Sequence, residues 1–392
     1  MKKAIRTKFL VMLGLCIALL GGSWTYTFEE IPDVYYASSE EEYVEIRSFY
    51  PVTTALSPVS ESSYEIDVKY LGILPVKTVQ VHIVPPERVV VGGESFGVRL
   101  FTNGVLVIGT ADVGGSPSPG YAGGIRTGDI LTEINGTRLS SNEDVTRLVE
   151  ESNGAPLTFS LKRGGESLSV RVTPKKEDGI FKVGLWIRDS IAGIGTITYF
   201  DTDNGVFAAL GHSINDTETG IILPILTGDA FGASIAGVRK GVKGTPGELK
   251  GMFLENEKIG TLYKNVGEGV FGILDKNYKI SGQSVPIAYK QAVHTGAAKI
   301  LCTVDGTEIR EFDIHIDRVT LNARQTTKNM VIRVTDPELL SLTGGIVQGM
   351  SGSPILQDGK LIGAVTHVLI STPDTGYGIF IENMIDREST DH

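Results

Sequence analysis

The chain has 392 residues, 36 Lys and Arg against 46 Asp and Glu, a formal net charge of −10 and 48 glycines. At about 150 residues per domain this length predicts two or three domains, and an apolar content of 41% excludes wholesale disorder. The acidic balance argues against nucleic acid as a partner. Two cysteines, Cys16 and Cys302, exclude a disulfide framework and a cysteine-based zinc site.

The N-terminus carries the pattern of an exported, membrane-associated protein. An uncharged run at residues 9–28 is preceded by four cations, Lys2, Lys3, Arg6 and Lys8. The run reaches the ~20 residues needed to span a bilayer, and the cations keep their side cytoplasmic, so the rest of the chain is exported. We predict an uncleaved signal-anchor, a transmembrane segment, over residues 1–28. A cleaved signal peptide is the alternative.

Residues 29–85 are predicted to be an acidic tether and linker between the membrane and the folded domains. The first part, residues 29–63, is rich in turn residues and in closely spaced acidic side chains, namely Glu40, Glu41, Glu42 and Glu45. An extended segment of this kind is a ready protease target. Cleavage within it would release the folded domains from the anchor.

The first folded module is predicted over residues 86–176. Strands broken by glycine at 89–91, 95–100 and 105–108 are followed by an apolar strand at 130–134 with an Asn-Gly turn. A helix then begins at a capping box of Ser140 and Glu143, and two further strands follow. This order, with residues 124–136, resembles a PDZ domain of the type attached to bacterial proteases.

PDZ domains take an extended peptide as an added strand and hold its terminal carboxylate on loop N–H groups. The resemblance therefore implies that a peptide-facing loop and strand are formed by Ser95, Phe96, Gly97 and Val98. The alternative is that the glycines of this region only permit tight turns.

The chemistry is predicted to lie in residues 179–388. Short Val/Ile/Leu runs separated by glycine turns predict an antiparallel sandwich or a pair of barrels rather than alternating β/α units. The fold class is therefore mainly β.

The sharpest motif of this region is G-M-S-G-S-P at residues 349–354. It turns the backbone tightly, presents one serine hydroxyl, and leaves the N–H groups of Gly349 and Ser351 as candidates for an oxyanion hole. This resembles the nucleophile loop of chymotrypsin-like serine proteases, and the spacing selects Ser351 over Ser353 as the nucleophile. An ordinary Gly-Ser turn is the alternative.

A serine hydroxyl needs a base to take its proton. His212 ends an apolar strand and enters a loop well before Ser351, which is where a chymotrypsin-like histidine lies. His367 is the main competitor as base. We favour a substrate-binding role for Thr366 and His367, because they lie where that fold has its substrate-pairing strand.

An orienting carboxylate would fix the imidazole tautomer and stabilise the imidazolium. Asp336 lies between the histidine and the serine in sequence, although Asp followed by Pro is also a good helix N-cap. The other candidates are Asp229, Asp305 and Asp317.

The whole chain resembles one family, the stage IV sporulation protein B serine endopeptidases of endospore-forming bacteria. The resemblance rests on the anchor, the PDZ module and five motifs: G-H-S at 211–213, T-D-P-E at 335–338, G-G-I-V-Q-G-M-S-G-S-P at 344–354, G-A-V-T-H-V at 363–368 and G-Y-G at 376–378. It implies a chymotrypsin-like double β-barrel protease domain. By position, it also implies that Ser351, His212 and Asp336 are the catalytic residues.

The resemblance further implies a signalling protease in the forespore intermembrane space. Such a protease cleaves a membrane-bound regulator of an intramembrane protease and so triggers activation of the late mother-cell sigma factor. The family also cleaves itself in trans, and its PDZ module takes part in recognition of self and target. We expect acyl transfer through Ser351 with no metal or cofactor. The rival functions are a non-catalytic PDZ scaffold and an extracytoplasmic quality-control protease.

Overall fold

The computed structural model describes residues 2–38, 44–60, 62–85, 87–323 and 325–388. The chain begins with α1 (Lys2–Glu30). Its segment Leu10–Glu30 has 21 residues and a mean hydropathy of 1.6, so it is long and apolar enough to cross a membrane. The predicted anchor is therefore one apolar helix. The last turns of the helix contact the small sheet that follows it, where the hydroxyls of Ser23 and Tyr70 lie 2.7 Å apart.

A small sheet follows the helix, with strand order β1-β4-β3-β2. Its strands are β1 (Val34–Ala37), β2 (Val52–Ser60), β3 (Ser63–Tyr70) and β4 (Leu74–Ile83). The sheet has its own apolar core, which includes Ile66, Val68, Val79 and Val81. The prediction of a tether over residues 29–85 is therefore wrong, because alternating apolar residues on β3 and β4 bury one face. Of its acidic residues, Glu40, Glu41 and Glu42 lie outside the described residues.

The next elements include the PDZ module. They are β5 (Arg88–Val91), β6 (Ser95–Thr110), α2 (Pro119–Ala122), β7 (Ile130–Ile134), β8 (Thr137–Arg138), α3 (Asn142–Glu151), β9 (Leu157–Arg163), β10 (Glu166–Val172), β11 (Lys175–Glu177) and β12 (Ile180–Lys182). The second half of β6 packs with β7, β9 and α3 around a buried core that includes Leu131, Val145 and Phe159. The N-cap of α3 is Ser141 rather than the expected Ser140, because Ser141 accepts the N–H of Asp144.

The remaining elements are mostly strands. They are β13 (Leu185–Asp201), β14 (Val206–Ala209), β15 (Ile225–Arg239), β16 (Glu248–Val266), β17 (Gly269–Leu274), β18 (Ser284–Pro286), a 3-10 turn (Lys290–Ala292), β19 (Gly296–Thr303), β20 (Ile309–Val319), β21 (Met330–Val334), α4 (Pro337–Thr343), β22 (Pro354–Gln357), β23 (Lys360–Leu369), β24 (Thr372–Phe380) and α5 (Ile381–Glu388).

These strands form two closed antiparallel barrels. In the first barrel the strands pair in the ring β6-β15-β16-β17-β14-β13, and β13 pairs back with β6. The second barrel has the ring β19-β20-β21-β24-β23-β22. Each ring encloses apolar side chains, with Phe96, Phe200 and Phe207 in the first and Ile300, Phe312 in the second. The mainly β class and the chymotrypsin-like double β-barrel are therefore confirmed.

Strand β6 belongs to both the PDZ module and the first barrel. Its first half pairs with β13 and β15 inside the barrel, whereas its second half pairs with β7 and with the start of β13. Gly104 lies between the halves with a φ of +111°, and a Cβ there would lie 2.5 Å from the Leu131 carbonyl oxygen, so there is no room for a side chain. The predicted boundary at residue 86 therefore assigned barrel strands to the PDZ module.

Candidate active site

The first feature of the site is a tight loop, residues 347–353, which we call the serine loop. It lies between α4 and β22 of the second barrel and is held against β13 of the first. The N–H of Thr196 donates to the Ser351 carbonyl (3.0 Å), its Oγ1 donates to the Gly349 carbonyl (2.8 Å), and Thr198 Oγ1 donates to the Gly352 carbonyl (2.8 Å). Both threonines are fully buried. The second barrel's serine is therefore fixed by the first barrel.

Gly352 is the position at which this loop requires glycine. Its φ is +94°, and a Cβ there would lie 2.0 Å from the Thr196 carbonyl oxygen and 2.5 Å from the Leu210 nitrogen. Such contacts are with backbone, which cannot move aside, so any side chain would push the two barrels apart. The G-x-S-G pattern thus encodes contact between the barrels as well as a turn.

The second feature is the histidine hairpin, residues 211–223, which follows β14. It is entered through two left-handed residues, Leu210 (φ +69°) and Gly211 (φ +65°). A non-glycine residue with positive φ is uncommon and is held only by well-determined surroundings. The turn brings His212 beside His367, with the two ring centroids 5.0 Å apart.

The imidazole of His212 has a defined orientation. Its Nδ1 lies 2.8 Å from the carbonyl oxygen of Ser213. A carbonyl oxygen only accepts, so this contact assigns the proton to Nδ1 and leaves Nε2 with a free lone pair. Burial lowers the pKa of His212, and the hydrogen bond to Ser213 offsets only part of this effect. The ring is therefore neutral at neutral pH.

Ser351 and His212 share one cavity between the barrels, with a volume of about 400 Å³. The Ser351 hydroxyl donates to the carbonyl oxygen of Thr366 on β23 at 2.9 Å, and a Cβ at Gly211 would lie 3.0 Å from the Thr366 methyl carbon. The cavity wall is largely apolar, with contributions from Ile194, Pro246, Ile346, Val347, Val368 and Ile370. The structure therefore brings the predicted nucleophile and base to the same site.

Thr366 and His367 also line this cavity. The Thr366 hydroxyl is used inside the barrel, where it donates to the carbonyl oxygens of Thr327 (2.8 Å) and Tyr377 (3.2 Å). Desolvation, with the neighbouring His212 and Lys328, lowers the pKa of His367 to about 4. His367 is therefore a neutral wall residue at neutral pH.

The backbone N–H groups of the serine loop differ in their partners. Those of Gln348, Met350, Gly352 and Ser353 donate to carbonyl oxygens within or beside the loop. Those of Val347, Gly349 and Ser351 have no acceptor among the described residues. Gly349 and Ser351 are the pair that the sequence predicts for the oxyanion hole, and these two donors are free to bind a ligand oxygen.

The structure does not bring Asp336 to the histidine. Its Oδ1 accepts the N–H groups of Glu338 (2.9 Å) and Leu339 (3.0 Å), so it is the N-cap of α4. The prediction of an orienting carboxylate is contradicted here, and the alternative N-cap is what the chain forms. None of the described residues lining the cavity carries a carboxylate.

The other acidic candidates also lie elsewhere. Asp317 pairs with His315 and Arg333, and Asp229 pairs with Lys258. Asp305 is in an exposed bend. The acceptor at Nδ1 is instead a main-chain carbonyl, which carries no sequence signature.

The residues predicted to bind peptide in the PDZ module do not form a free edge. Ser95, Phe96 and Val98 are buried, and Gly97 pairs with Ile194 on one side and with Phe231 on the other. A strand that is paired on both sides cannot pair with an added peptide strand, so the prediction that these residues bind peptide is wrong. Sequence reasoning also missed Thr196 and Thr198, because threonines in a strand give no functional signal.

Comparison with known proteins agrees with this architecture. The two barrels form the fold of a serine endopeptidase, and a family model supports that class. A family model described as SpoIVB peptidase S55 matches residues 179–385, just over half of the chain, and a PDZ domain model matches residues 113–163. The chain therefore belongs to the SpoIVB peptidase S55 family.

Curated relatives match a smaller part of the chain. The zinc metalloprotease RasP of Oceanobacillus iheyensis is 31% identical over 106 residues, which are 27% of this chain and 24% of that one. The RasP of Shouchella clausii is 27% identical over 128 residues, which are 31% and 29% of the two chains. The chain spans about a third or less of the length of the curated relatives it matches.

Two solved structures show partial likeness. The PDZ domain of the SdrC-like protein Lmo2051 from Listeria monocytogenes is 19% identical, with a TM-score of 0.19, and covers 22% of this chain and 87% of its own. An inactive form of Rv3671c from M. tuberculosis H37Rv is 11% identical, with a TM-score of 0.26, and covers 51% and 83%.

Proposed function

We propose that this chain is a signalling serine endopeptidase in which Ser351 is the nucleophile and His212 the base. One observation carries the proposal: the serine loop and the histidine hairpin meet at one cavity, and the imidazole presents a free Nε2 there. A serine, a neutral imidazole and two unused N–H donors supply the nucleophile, the general base and the oxyanion donors that acyl transfer needs.

The reaction begins with a rotation of the Ser351 hydroxyl away from the Thr366 carbonyl and toward Nε2 of His212. Catalytic hydrogen bonds are often formed only when substrate binds. Oγ then bonds to the peptide carbonyl carbon and its proton passes to Nε2. Collapse breaks the C–N bond, and the same proton leaves with the amine. Water, deprotonated by His212, hydrolyses the acyl-enzyme and restores the Ser351 hydroxyl.

Charge that develops on the substrate oxygen is stabilised by the N–H groups of Gly349 and Ser351. Because both groups lack an acceptor among the described residues, a substrate oxygen displaces only water from them. The hydrogen bonds from Thr196 and Thr198 hold the loop before substrate arrives, so little reorganisation is needed at the transition state.

The Ser213 carbonyl takes the orienting role expected of a carboxylate. It fixes the Nδ1–H tautomer but supplies only a partial charge to the imidazolium. Asp336 supports the site at a distance, since it caps the helix that leads into the serine loop. We therefore propose a Ser351–His212 pair, with Asp336 as a residue of the scaffold.

Substrate is an extended peptide that lies along the wall formed by Thr366 and His367. Strand β23 pairs with β22 through residues 360–364, and beyond them Thr366, His367 and Val368 line the cavity. The apolar wall favours apolar side chains next to the cleaved bond. Recognition of a membrane-bound regulator, and of a second copy in trans, is assigned to the PDZ module.

The biological role is that of the family: cleavage of a membrane-bound regulator in the forespore intermembrane space, which leads to activation of the late mother-cell sigma factor. Its support is the family match and the apolar helix α1, which suits a protein exported and held at a membrane. Self-cleavage on the C-terminal side of α1 releases the enzyme.

Self-trimming tests the catalytic assignment. Purified full-length chain in detergent is incubated and its N-termini are read by mass spectrometry, beside the Ser351→Ala variant. Loss of the nucleophile lowers rates on the order of 10⁶-fold, so trimming should disappear while folding is retained. The matched control is Ser353→Ala, whose fully buried hydroxyl lies outside the proposed chemistry. Trimming by the Ser351→Ala protein would overturn the proposal.

A second assay separates the signalling role from its rivals. A serine-directed fluorophosphonate should label wild type at Ser351, which a non-catalytic scaffold would not allow. Purified enzyme should then cleave a folded membrane regulator at one site and leave casein intact. Degradation of casein would favour the quality-control function instead.

A further inference from the structure

An ion pair joins the tip of the histidine hairpin to strand β13. Arg188 Nη1 lies 2.6 Å from Asp216 Oδ2 and 2.8 Å from Glu218 Oε2, and its Nη2 lies 3.2 Å from Glu218 Oε1. The Asp216 side chain is fully buried, while the Arg188 side chain is 29% exposed. This pair contacts neither Ser351 nor the imidazole, yet it belongs to the loop that carries the imidazole.

The buried carboxylate of Asp216 depends on this arginine. Its Oδ1 accepts the N–H groups of Glu218 and Thr219 and the Thr219 hydroxyl, all within the hairpin. Its Oδ2 pairs with Arg188. Burial alone would raise the pKa of Asp216, but the Thr219 hydrogen bonds and Arg188 lower it, so the carboxylate is ionised. Without Arg188 a buried negative charge loses its partner, which is strongly unfavourable.

Relief of that charge requires the hairpin tip to move toward water, and the tip is tied to the base. The N–H of Asp216 donates to the Ile221 carbonyl (2.9 Å), and that of Leu223 donates to the Ile214 carbonyl (3.1 Å). Ile214 follows Ser213, whose carbonyl orients His212. Movement at the tip is therefore passed along a short, hydrogen-bonded ribbon to the acceptor of Nδ1.

We propose that Arg188 is a positioning residue for His212, acting through Asp216 and the hairpin on the Ser213 carbonyl. This inference rests on the proposed function of His212 as the base. Arg188 lies in the part of β13 that pairs with the PDZ half of β6, at Leu106. The ion pair therefore also makes the geometry of the protease site depend on the attached PDZ module.

The test measures the rate of covalent labelling of Ser351 by a fluorophosphonate in detergent-solubilised full-length chain, separated into probe affinity and maximal rate. In Arg188→Gln the maximal rate should fall on the order of 10-fold to 100-fold with affinity unchanged, because a small misplacement of a catalytic group has this effect. Arg188→Lys retains a cation for Asp216 and should recover most of the rate. A role in stability alone would not separate rate from affinity in this way.

The matched control is Arg163→Gln. Arg163 is 42% exposed and pairs with the buried Asp129 at 2.7 Å inside the PDZ module, so it repeats the same chemistry away from the hairpin. It should label at the wild-type rate. In Asp216→Asn the side-chain oxygen still accepts the N–H groups of the turn, so the amide NH2 faces Arg188 and two donors oppose each other where the ion pair was. This variant should also slow labelling, and it decides the matter if Arg188→Gln does not fold.

The outcomes separate the two proposals. Wild-type labelling at Ser351 with an equal maximal rate in Arg188→Gln, or in Asp216→Asn where Arg188→Gln is unfolded, overturns the positioning role and leaves the peptidase assignment intact. Failure of the wild type itself to label overturns both. Slower labelling in Arg188→Gln and normal labelling in Arg163→Gln support the inference.

Discussion

The serine loop and the histidine hairpin meet at one cavity but are held in place differently. The serine loop is fixed by main-chain hydrogen bonds to β23 and β13, with glycine where the barrels touch, and the hydroxyls of Thr196 and Thr198 reinforce it. The hairpin is fixed by side chains alone from distant strands, Asn265 at its base and Arg188 at its tip. Close main-chain contact requires glycine and is therefore visible as a motif, whereas the remote side chains that hold either loop are not.

The largest effect is expected from Gly352→Ala. The new methyl group would lie 2.0 Å from the Thr196 carbonyl oxygen, so the loop must leave β13 and the oxyanion donors move with it. A displacement of about 1 Å costs on the order of 10²-fold in rate, and we expect at least that loss in Ser351 labelling. Gly267→Ala, in a turn of the first barrel where a methyl group meets open space and φ is not positive, is the control.

A smaller effect is expected from Asn265→Ala at the base of the hairpin. Asn265 accepts the N–H of Ile214 and donates to the carbonyls of Ile214 and Leu223. Its loss frees the residue next to Ser213 while leaving the serine loop untouched, so labelling should slow on the order of 10-fold. If the labelling rate and its pH dependence are both unchanged in Asn265→Ala, the Asn265 hydrogen bonds are not needed to hold the hairpin.

The pH dependence of labelling probes the hairpin alone. His212 accepts a proton only when neutral, and burial lowers its pKa below the ordinary 6.5. Activity should therefore be complete above that pKa and be lost as the pH falls through it, with a midpoint below 6.5. The facing His367, with a pKa of about 4, stays neutral in this range. A midpoint above 6.5 would contradict the buried, singly bonded imidazole.

The smallest effect on activity is expected from Glu94→Gln, because Glu94 lies just before β6 and does not line the cavity. The Glu94 carbonyl accepts the N–H of Ile197 on β13, and burial raises the pKa of its carboxyl to about 7. Ionisation therefore destabilises the fold as the pH rises from about 4.5 to about 7. Glutamine should raise stability by at most about 3 kcal/mol above that range and by nothing below it.

Thermal unfolding measured at acidic and at mildly alkaline pH checks this prediction, with Ser351 labelling as the companion readout. Labelling should stay at the wild-type rate. Equal unfolding temperatures for the two proteins at alkaline pH would show that Glu94 is not the group that ionises.

The sequence predicted the second barrel, the serine loop and His212 because each is encoded locally. Alternation of apolar residues marks the strands, and G-M-S-G-S-P marks the turn. Sharing of β6 between the PDZ module and the first barrel was not predictable. The local pattern of Ser95–Val98 predicts a strand but does not indicate which sheet that strand joins. The small N-terminal sheet was hidden by acidic and turn residues, although Ile66, Val68 and Tyr70 alternate strictly.

Asp336 shows where spacing misleads. An Asp-Pro pair before an apolar stripe satisfies both a catalytic position and an N-cap, and only the fold decides between them. The Ser213 carbonyl could not be predicted at all, since every residue has a carbonyl. The ion pair between Arg188 and Asp216 could not be predicted either, because ion pairs between residues distant in sequence depend on tertiary contacts.

The most direct test compares Ser351 labelling rates in His212→Ala and Asp336→Asn. Asparagine is also a good N-cap, so the helix and the loop should persist and the rate should stay within about 10-fold of wild type, whereas His212→Ala should label negligibly. Replacing the carboxylate of a catalytic triad by its amide costs about 10⁴-fold. A loss of that size in Asp336→Asn, or normal labelling in His212→Ala, would contradict a serine and histidine that act without a carboxylate.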